Sequence, residues 1–280
     1  MNLKKEKQME LKEYTRANRE AWNEVMPKHQ KVNKVDLDTF FARPGFVIQT
    51  DKDVLRMFDK ISMKGKDVIH LCCNNGVELM SIKNMGANRC VGVDISDAAI
   101  SEASERSKKC NIDCEFIRSD VYELPEHLYN SFDVVQITSG CIGWMPDINL
   151  FFNTCRKVLR PEGFFLINEI HPFSELLPFD NSEVENRLQI VDKYFHDGPI
   201  IENTSLDYMG GEQYDAKTQY WFVHTISDLV MALNRNGFRI MDFIESTCDV
   251  SAGHRKIEQL NAQIPLSMVI LSEADGKIGN

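Results

Sequence analysis

The chain has 280 residues, of which 43% are hydrophobic and 26% charged, and its formal net charge is −10 at pH 7. This length and composition predict one globular domain with insertions. The acidic balance argues against nucleic acid and other polyanionic partners, because phosphate recognition needs clustered Lys and Arg side chains. No apolar run approaches the ~18 residues that a membrane span requires, so no membrane partner is expected.

The sequence starts with the charged stretch MNLKKEKQMELKEY, so we expect no secretory signal. The eight cysteines are scattered without paired C-x-x-C units, which is typical of reduced thiols and predicts no metal site. These features together favour a cytoplasmic protein, either a monomer or a homodimer.

The N-terminal part is predicted to form a helix followed by a loop. Residues 3–25 are strongly charged but carry an approximate apolar stripe, and Pro27 is expected to end the helix. Residues 31–50 are expected to be irregular. Tyr14 and Trp22 lie eight residues apart and share one helical face. The helix is therefore either a solvated scaffold element or a lid over a pocket.

The stretch Asp67–Asp94 predicts a strand, a tight turn, a helix and a second strand. Val68–Leu71 is a short apolar run typical of a strand buried on both faces. Turn-forming residues end at Gly76, and Gly86 is expected to terminate the following helix. Asp94 stands 18 residues after Gly76, at the tip of the second strand. An acid there accepts hydrogen bonds from ribose hydroxyls, so the stretch predicts a nucleoside pocket.

The turn Cys72-Cys73-Asn74-Asn75-Gly76 contains a single glycine. A dinucleotide sets its pyrophosphate against a glycine-rich backbone, whereas a ligand without phosphate tolerates side chains at this place. Asn visits left-handed backbone angles, while Cys72 fits such a conformation less easily. The loop therefore favours a nucleoside ligand that carries no phosphate.

This loop resembles motif I of the class I S-adenosyl-L-methionine (SAM)-dependent methyltransferases, which is an acid followed by G-x-G-x-G. In this sequence His70 stands in place of the acid, and Cys72 and Asn74 replace two glycines. Similar NNG loops occur in a small-molecule branch of that family. The resemblance implies that the following residues of this stretch bind the cofactor: His70, Cys72, Asn74, Asn75, Gly76, Asp94 and Ile95.

Two later strand ends extend the resemblance. In the family an acid after the third strand binds the adenine amino group, and the next backbone amide meets the ring. This implies those roles for Asp120 and Val121. A fourth strand over residues 131–137 leads into the loop Thr138–Trp144, which in the family borders the methyl donor and the acceptor. Thr138 is accordingly expected to contact the cofactor.

The fifth strand supplies the candidate catalytic residues. Residues 147–160 are predicted to be a helix, and residues 159–167 resemble the L-x-P-G-G turn and fifth strand of these methyltransferases, with Glu162 in place of one glycine. The strand ends in Glu169 and His171. His171 is the candidate general base, because imidazole titrates near neutrality, or else a structural histidine. Glu169 is a second candidate, acting directly or as a partner of another group.

Residues 172–222 interrupt the alternation of strands and helices. They contain ten Asp or Glu against three Lys or Arg, together with nine aromatic residues. The segment is either an acidic surface elaboration or a substrate cap suited to an apolar or amine-bearing acceptor. The candidate acceptor-binding residues are Tyr208, Trp221 and Trp144, although a tryptophan at position 144 also suits the core.

After the cap, the sequence predicts a helix over residues 224–236 and two final strands, Phe238–Glu245 and Pro265–Leu271. Residues 247–262 are expected to be a polar connection, and the last eight residues to be loose.

The predicted architecture is a doubly wound α/β domain of the Rossmann-like methyltransferase fold, with seven mostly parallel strands and the last one antiparallel. Residues 1–50 would form the lid helix and its loop, with Tyr14 and Trp22 against the cofactor. Residues 51–273 would form the methyltransferase domain, with residues 172–222 as its cap. The resemblance implies methyl transfer from SAM to a small molecule, giving S-adenosyl-L-homocysteine (SAH). The alternatives are a SAM-binding protein without catalysis and an NAD-linked oxidoreductase, against which the missing glycines and Asp120 argue.

Overall fold

The computed structural model describes residues 2–276, which form a seven-stranded sheet with flanking helices and a separate two-stranded hairpin. The helices are α1 (Asn2–Phe41), α2 (Lys52–Ile61), α3 (Val77–Asn84), α4 (Asp97–Lys109), α5 (Ile148–Val158), α6 (Ile226–Arg235) and α7 (Arg255–Gln259). The strands are β1 (Val68–Leu71), β2 (Cys90–Asp94), β3 (Glu115–Arg118), β4 (Phe132–Ile137), β5 (Leu159–Ile170), β6 (Ile200–Glu202), β7 (Gln219–Trp221), β8 (Phe238–Ser246) and β9 (Ser267–Ala274).

The strand order of the main sheet is β3-β2-β1-β4-β5-β9-β8. Neighbouring strands run parallel from β3 to β5, while β9 is antiparallel to both β5 and β8. The chain winds outward from β1 in both directions, and ligands of such sheets bind beyond the carboxyl ends of the strands at that reversal point. The predicted seven-stranded, mostly parallel sheet with an antiparallel last strand is confirmed.

The core has two layers because β1 is buried on both faces. Ile69 and Leu71 point into a cluster built with α5 and α6, whereas Val68 points into a cluster built with α2 and α3. Full burial of one such side chain stabilises a fold by about 1.5–3 kcal/mol. The continuous apolar run in the sequence is therefore a direct consequence of helices covering both sides of the sheet.

Helix α1 does not end at Pro27, so this part of the sequence-based prediction was wrong. The proline is exposed and costs the helix one backbone hydrogen bond, a penalty of about 3 kcal/mol. Met26 and Phe41 are almost completely buried on either side of it, and their packing offsets that penalty. The helix continues to Phe41, and only residues 42–50 of the predicted irregular segment lack helical structure.

Four further differences concern short elements. Helix α2 was not predicted; it begins where the Asp51 side chain accepts a hydrogen bond from the Asp53 N–H at 2.7 Å. Helix α7 lies inside the predicted polar connection, and β5 begins at Leu159 with a register shift against β4. Strand β9 continues to Ala274, so the predicted loose tail begins later; residues 277–280 lie outside the described part. Within residues 2–276, no helix combines the length and apolarity that crossing a bilayer needs.

Candidate functional site

The loop after β1 takes a left-handed backbone at three alternating positions, with φ of 58° at Cys72, 48° at Asn74 and 75° at Gly76. These are the positions of the three glycines in the motif that the loop resembles. The conformation costs a residue such as Cys72 about 1–2 kcal/mol. Gly76 is also required by space, because a Cβ there would lie 2.5 Å from the Phe116 ring. The loop thus keeps the backbone path of the motif with one glycine.

Asp94 ends β2 and holds the loop in place. Its Oδ2 accepts a hydrogen bond from the Asn74 N–H and its Oδ1 one from the Ser96 N–H, both at 2.8 Å. Burial raises the pKa of Asp94 above its ordinary value in spite of these bonds. Additional hydrogen-bond donors would stabilise such a half-buried carboxylate, and ribose hydroxyls are donors of this kind. Ile95, which follows it, is half-buried at the same edge.

Asp120 lies at the next strand end of this edge. The Ser119 N–H donates to the Asp94 carbonyl at 3.0 Å, which joins the ends of β2 and β3. Asp120 Oδ1 accepts a hydrogen bond from the Tyr122 N–H at 3.0 Å and so caps a short helical turn that begins at Val121. The structure therefore places the two acids at or just beyond the ends of neighbouring strands, as their order in the sequence indicates.

His70 is completely buried in β1 and lies between the loop and β4. Its Nε2 is 3.2 Å from the Thr138 Oγ1, and its Nδ1 has no hydrogen-bond partner. Burial lowers the pKa of His70 to about 3, so the imidazole is neutral at physiological pH. The histidine thus replaces the acid of the motif without adding a positive charge below the loop.

Arg106 fixes the loop from α4 and was missed by the sequence analysis. Its side chain is completely buried; Nη1 donates to the Asn75 carbonyl at 3.1 Å and Nε donates to Asp38 Oδ1 at 3.0 Å. Nη2 pairs with Glu102, one helical turn earlier. Removing one partner of a buried charge network typically costs about 3–5 kcal/mol. The i,i+4 spacing of Glu102 and Arg106 was the available signal, although such pairs are more common on helix surfaces.

Helix α1 bridges the cap and the edge of the sheet. The Asn18 side chain donates to the Tyr220 carbonyl at 3.0 Å and accepts from the Tyr220 N–H at 2.8 Å, which ties α1 to β7. Asn23 Oδ1 accepts from the Ser96 hydroxyl at 2.8 Å, next to Asp94. The Tyr14 ring packs against the Tyr220 ring with centroids 4.8 Å apart. The helix therefore contacts both sides of the candidate pocket.

The three tryptophans of the chain form one contacting row. The ring centroids of Trp22 and Trp144 are 5.6 Å apart, and those of Trp144 and Trp221 are 5.0 Å apart. Trp22 also contacts His29, which in turn packs against Tyr208 at 4.6 Å. Tyr208 is 61% exposed and lies at the outer end of this row. The fold thus gathers these predicted lid and acceptor residues, with Tyr208 at the rim.

Glu169 is buried at the end of β5 and holds the loop that leaves β4. Its Oε1 accepts hydrogen bonds from the backbone N–H groups of Gly140 at 2.5 Å and Ile170 at 2.8 Å. Its Oε2 accepts from the Ile142 N–H at 2.8 Å. Burial raises the pKa of Glu169 to about 7 against the effect of these bonds. Glu169 therefore fixes the position of the loop that follows β4.

His171 is also buried, but its ring faces β8. Nδ1 accepts a hydrogen bond from the Phe173 N–H at 3.1 Å, so the ring proton lies on Nε2, which is 3.0 Å from Glu245 Oε1. Burial lowers the pKa of His171, and the Glu245 carboxylate opposes that shift. Both ring nitrogens therefore have protein partners, and a role as general base stays a prediction.

A cavity of about 30 Å³ lies between the cap and the end of β5. Glu169, Glu175 and Trp221 line it, together with Gly143 from the exit loop of β4. The Trp221 indole packs directly on Gly143, where a Cβ would lie 2.2 Å from the indole ring. The Phe222 N–H donates to the Gly143 carbonyl at 2.7 Å, so the cap is also tied to this loop through its backbone.

A second, more open cavity of about 580 Å³ adjoins the first and shares with it the lining residues Phe222, Val223 and His224. Tyr14 of α1 and residues 196–199 of the cap form its other sides. Within the described part of the chain, no three His, Cys, Asp or Glu side chains are grouped so that they could hold a metal ion.

Comparison with known proteins places these features in context. Residues 62–221, more than half of the chain, match the family described as "Methyltransferase domain". A ubiquinone biosynthesis O-methyltransferase from Rhizobium etli is 28% identical over 109 residues, which is 39% of this chain and 43% of that protein. A ribosomal protein L11 methyltransferase from Alteromonas mediterranea is 34% identical over 106 residues, 38% of this chain and 34% of that protein. The chain thus spans less than half the length of these relatives.

Among solved structures, the chain resembles an S-adenosylmethionine dependent methyltransferase from Mesorhizobium loti. The TM-score is 0.56, and the match covers 75% of this chain and 92% of the other. The two sequences are 21% identical. At that identity the likeness establishes the fold.

Proposed function

This chain belongs to the methyltransferase domain family. We propose that it is a SAM-dependent methyltransferase and that its acceptor is a small molecule bound between the cap and the sheet. SAM supplies a methyl group on a sulfonium, which is a good leaving group. The main task of the protein is then to align the acceptor with that methyl group and to exclude water. Such a reaction needs neither a metal cluster nor a nucleophilic triad.

We propose that SAM binds at the carboxyl edge of β1, β2 and β3, whose charges suit it. We assign the ribose hydroxyls to Asp94 and the adenine ring to Asp120 and Val121. The left-handed loop would hold the methionyl part, above the neutral His70 and beside Thr138. Carboxylates and a neutral imidazole suit a cationic sulfonium without phosphate, and they would repel a pyrophosphate. The full set proposed to bind the cofactor is His70, Cys72, Asn74, Asn75, Gly76, Asp94, Ile95, Asp120, Val121, Thr138, Tyr14 and Trp22.

Helix α1 is the proposed lid. The Asn18 bonds to β7 and the Asn23 bond to Ser96 would hold it over the cofactor edge, with Tyr14 and Trp22 on its inner side. Closing such an element excludes water and fixes the donor relative to the acceptor.

The pair of adjoining cavities beside the cap is the observation that carries the proposal. Its larger part measures about 580 Å³, within the range of roughly 300–1,000 Å³ for small-ligand pockets. Trp221 of the β6–β7 hairpin lines the cavity beside Glu169 at the end of β5, and α1 packs against β7 from outside. A folded protein surface would therefore not reach Glu169 unless the hairpin moved. This favours a small molecule over a protein such as the one named in the L11 methyltransferase relative. Trp144 and Trp221 would form the acceptor wall, with Tyr208 at its rim.

A turnover assay with fractionated extract tests this proposal. The full chain would be incubated with SAM and either the low-molecular-weight fraction or the protein fraction of a cell extract, and SAH formation would be measured. We expect SAH only with the small molecules, and none with an Asp94→Ala variant as control. Turnover only with the protein fraction would contradict the proposal. Binding of SAH without turnover in either fraction would point instead to a SAM-binding protein without catalysis.

A further inference from the structure

The cavity of about 30 Å³ between the cap and the end of β5, from here on the inner cavity, contains a carboxyl group that the proposed mechanism has not yet used. Glu175 lies in the short helical turn Ser174–Leu176 directly after β5 and lines the same cavity as Glu169. The Glu169 oxygens are occupied by three backbone N–H groups. Glu175 lines this cavity together with Trp221, whose indole N–H favours the charged form of the carboxyl group and so lowers its pKa.

The charged groups that shift the pKa of Glu175 are carboxylates. Burial raises the pKa of Glu175 to about 7, and the neighbouring carboxylates Glu169, Asp192 and Glu202 add to that shift. A carboxyl group of this kind is half ionised near neutral pH, where proton transfer is most effective. A bound cation would relieve the repulsion between these groups, whereas an anionic acceptor would increase it.

Apart from His224, the other side chains that line the inner cavity are apolar and partly aromatic. They include Ile142, Trp221, Phe222, Leu229 and Met268. An ammonium group beside a carboxylate and an indole ring gains both a charge-assisted hydrogen bond and a cation–π interaction.

The adjoining cavity of about 580 Å³, from here on the outer cavity, is also lined by more acidic than basic side chains. Its lining carries the carboxylates Asp147, Asp197 and Asp228 against the single guanidinium of Arg235. His196 also lines it; the side chain is only 8% exposed, and its Nε2 has no hydrogen-bond partner, although Asp192 Oδ1 lies 3.8 Å away. An unsatisfied imidazole nitrogen in a polar cavity is a ready partner for a polar ligand. Acidic walls of this kind concentrate cations at the entrance of a pocket.

We propose that the methyl acceptor is a small amine, which enters through the outer cavity as an ammonium ion and gives one proton to Glu175 in the inner cavity. This inference rests on the proposed function and names its substrate class. Glu175 would be the catalytic base, since it touches the reacting nitrogen, while Glu169 positions the loop.

The step balances without a further reactant. The ammonium proton moves to the Glu175 carboxylate, and the freed nitrogen lone pair attacks the methyl carbon. A C–N bond forms as the C–S bond breaks, and the sulfur keeps the bonding pair and becomes the neutral thioether of SAH. The product leaves as an N-methylammonium ion, and Glu175 releases its proton to solvent.

Matched pairs of acceptors test the substrate class. We would measure SAH formation by the full chain with benzylamine against benzyl alcohol, and with tryptamine against tryptophol. We expect turnover of at least one amine and of neither alcohol, with kcat/KM rising roughly tenfold between pH 6 and pH 8 as Glu175 ionises. Turnover of the alcohols but not of the amines would overturn the proposal.

A second measurement reads binding directly. Trp22, Trp144 and Trp221 are the only tryptophans of the chain and lie in one row, so the intrinsic fluorescence reports on this site alone. Glu175→Gln, which keeps an acceptor for the indole N–H, should weaken amine binding ~10- to 150-fold and leave SAH binding unchanged. Glu185→Gln removes the same charge from an exposed position of the cap and should change neither.

The two levels of the hypothesis fail in different ways. If SAH leaves the fluorescence unchanged and calorimetry detects no binding, the proposed function itself is wrong. If SAH binds but benzylamine leaves the tryptophan fluorescence unchanged and neither amine is turned over, only the amine inference is wrong. Equal amine affinity in the Glu175→Gln and Glu185→Gln variants would also overturn it.

Discussion

Replacing Asp94 with asparagine should separate cofactor binding from folding. The carboxylate holds the loop through the amides of Asn74 and Ser96, and asparagine retains an oxygen for one of them. It also removes a charge whose burial is unfavourable. Because the pKa of Asp94 is raised in the folded protein, its charged form opposes folding: stability is greatest below the unfolded pKa and falls as the pH rises through the folded pKa.

The two effects on stability therefore have opposite signs near pH 7. Loss of one charge-assisted hydrogen bond costs about 1.5–3 kcal/mol, and removal of a buried, incompletely compensated charge acts in the opposite direction. We expect the free energy of unfolding of the ligand-free protein to change by less than about 1 kcal/mol. Binding has no such compensation, so the affinity for SAH should fall ~10- to 150-fold.

Calorimetry with SAH and thermal unfolding with and without SAH would measure both quantities. Asp113→Asn is the matched control, because the Asp113 side chain is fully exposed in the loop before β3. The reasoning fails if Asp94→Asn binds SAH like the wild type, since the ribose would then lie elsewhere. It also fails if the variant does not fold, because Asp94 would then be chiefly a structural residue.

Three further changes probe the loop, the wall and the lid. The folded pKa of Glu169 is raised to about 7, so ionisation of Glu169 should lower the free energy of unfolding of the wild type by about 3 kcal/mol between pH 4.5 and pH 7. Glu169→Gln should lack this contribution, and denaturant titrations across the pH range measure it. The same dependence of the free energy of unfolding on pH in both proteins would refute the prediction. Gly143→Ala places a Cβ 2.2 Å from the Trp221 ring, so KM for the acceptor should rise while the Kd for SAH is kept. Asn18→Ala removes both side-chain bonds to Tyr220 and should lower kcat/KM about tenfold and speed proteolysis of α1; unchanged values would make α1 plain scaffolding.

The sheet was predictable from the sequence because its signals are local. The apolar run at Val68–Leu71 and the acids Asp94 and Asp120 lie where strands end, so their order alone indicates one binding edge. The continuation of α1 past Pro27 was not predictable, since it depends on packing that offsets a local penalty. In such cases long-range contacts override the propensity of the chain.

In the candidate site, too, some features were predictable from the sequence and others were not. The left-handed angles at Cys72 and Asn74 follow the motif even though their residue types do not favour them equally. Arg106 was missed because its i,i+4 spacing to Glu102 is more typical of a helix surface, and Glu175 was missed because nothing in its sequence neighbourhood marks it. Arg106 is important because Asp38 and Asn75 come from distant parts of the chain, and Glu175 is one of ten acids in the cap until the fold turns it toward Trp221.

Hydrogen exchange with and without SAH tests most directly where the cofactor binds. If SAM and SAH lie on the carboxyl edge of the sheet beneath α1, SAH should slow amide exchange in four separate segments: residues 14–23, 72–76, 94–96 and 119–121. Strand β8 (Phe238–Ser246), at the far edge of the sheet, serves as the internal reference and should be unaffected. Protection that is absent from the loop and from the end of β2, or that is concentrated on β8, would contradict the proposed site.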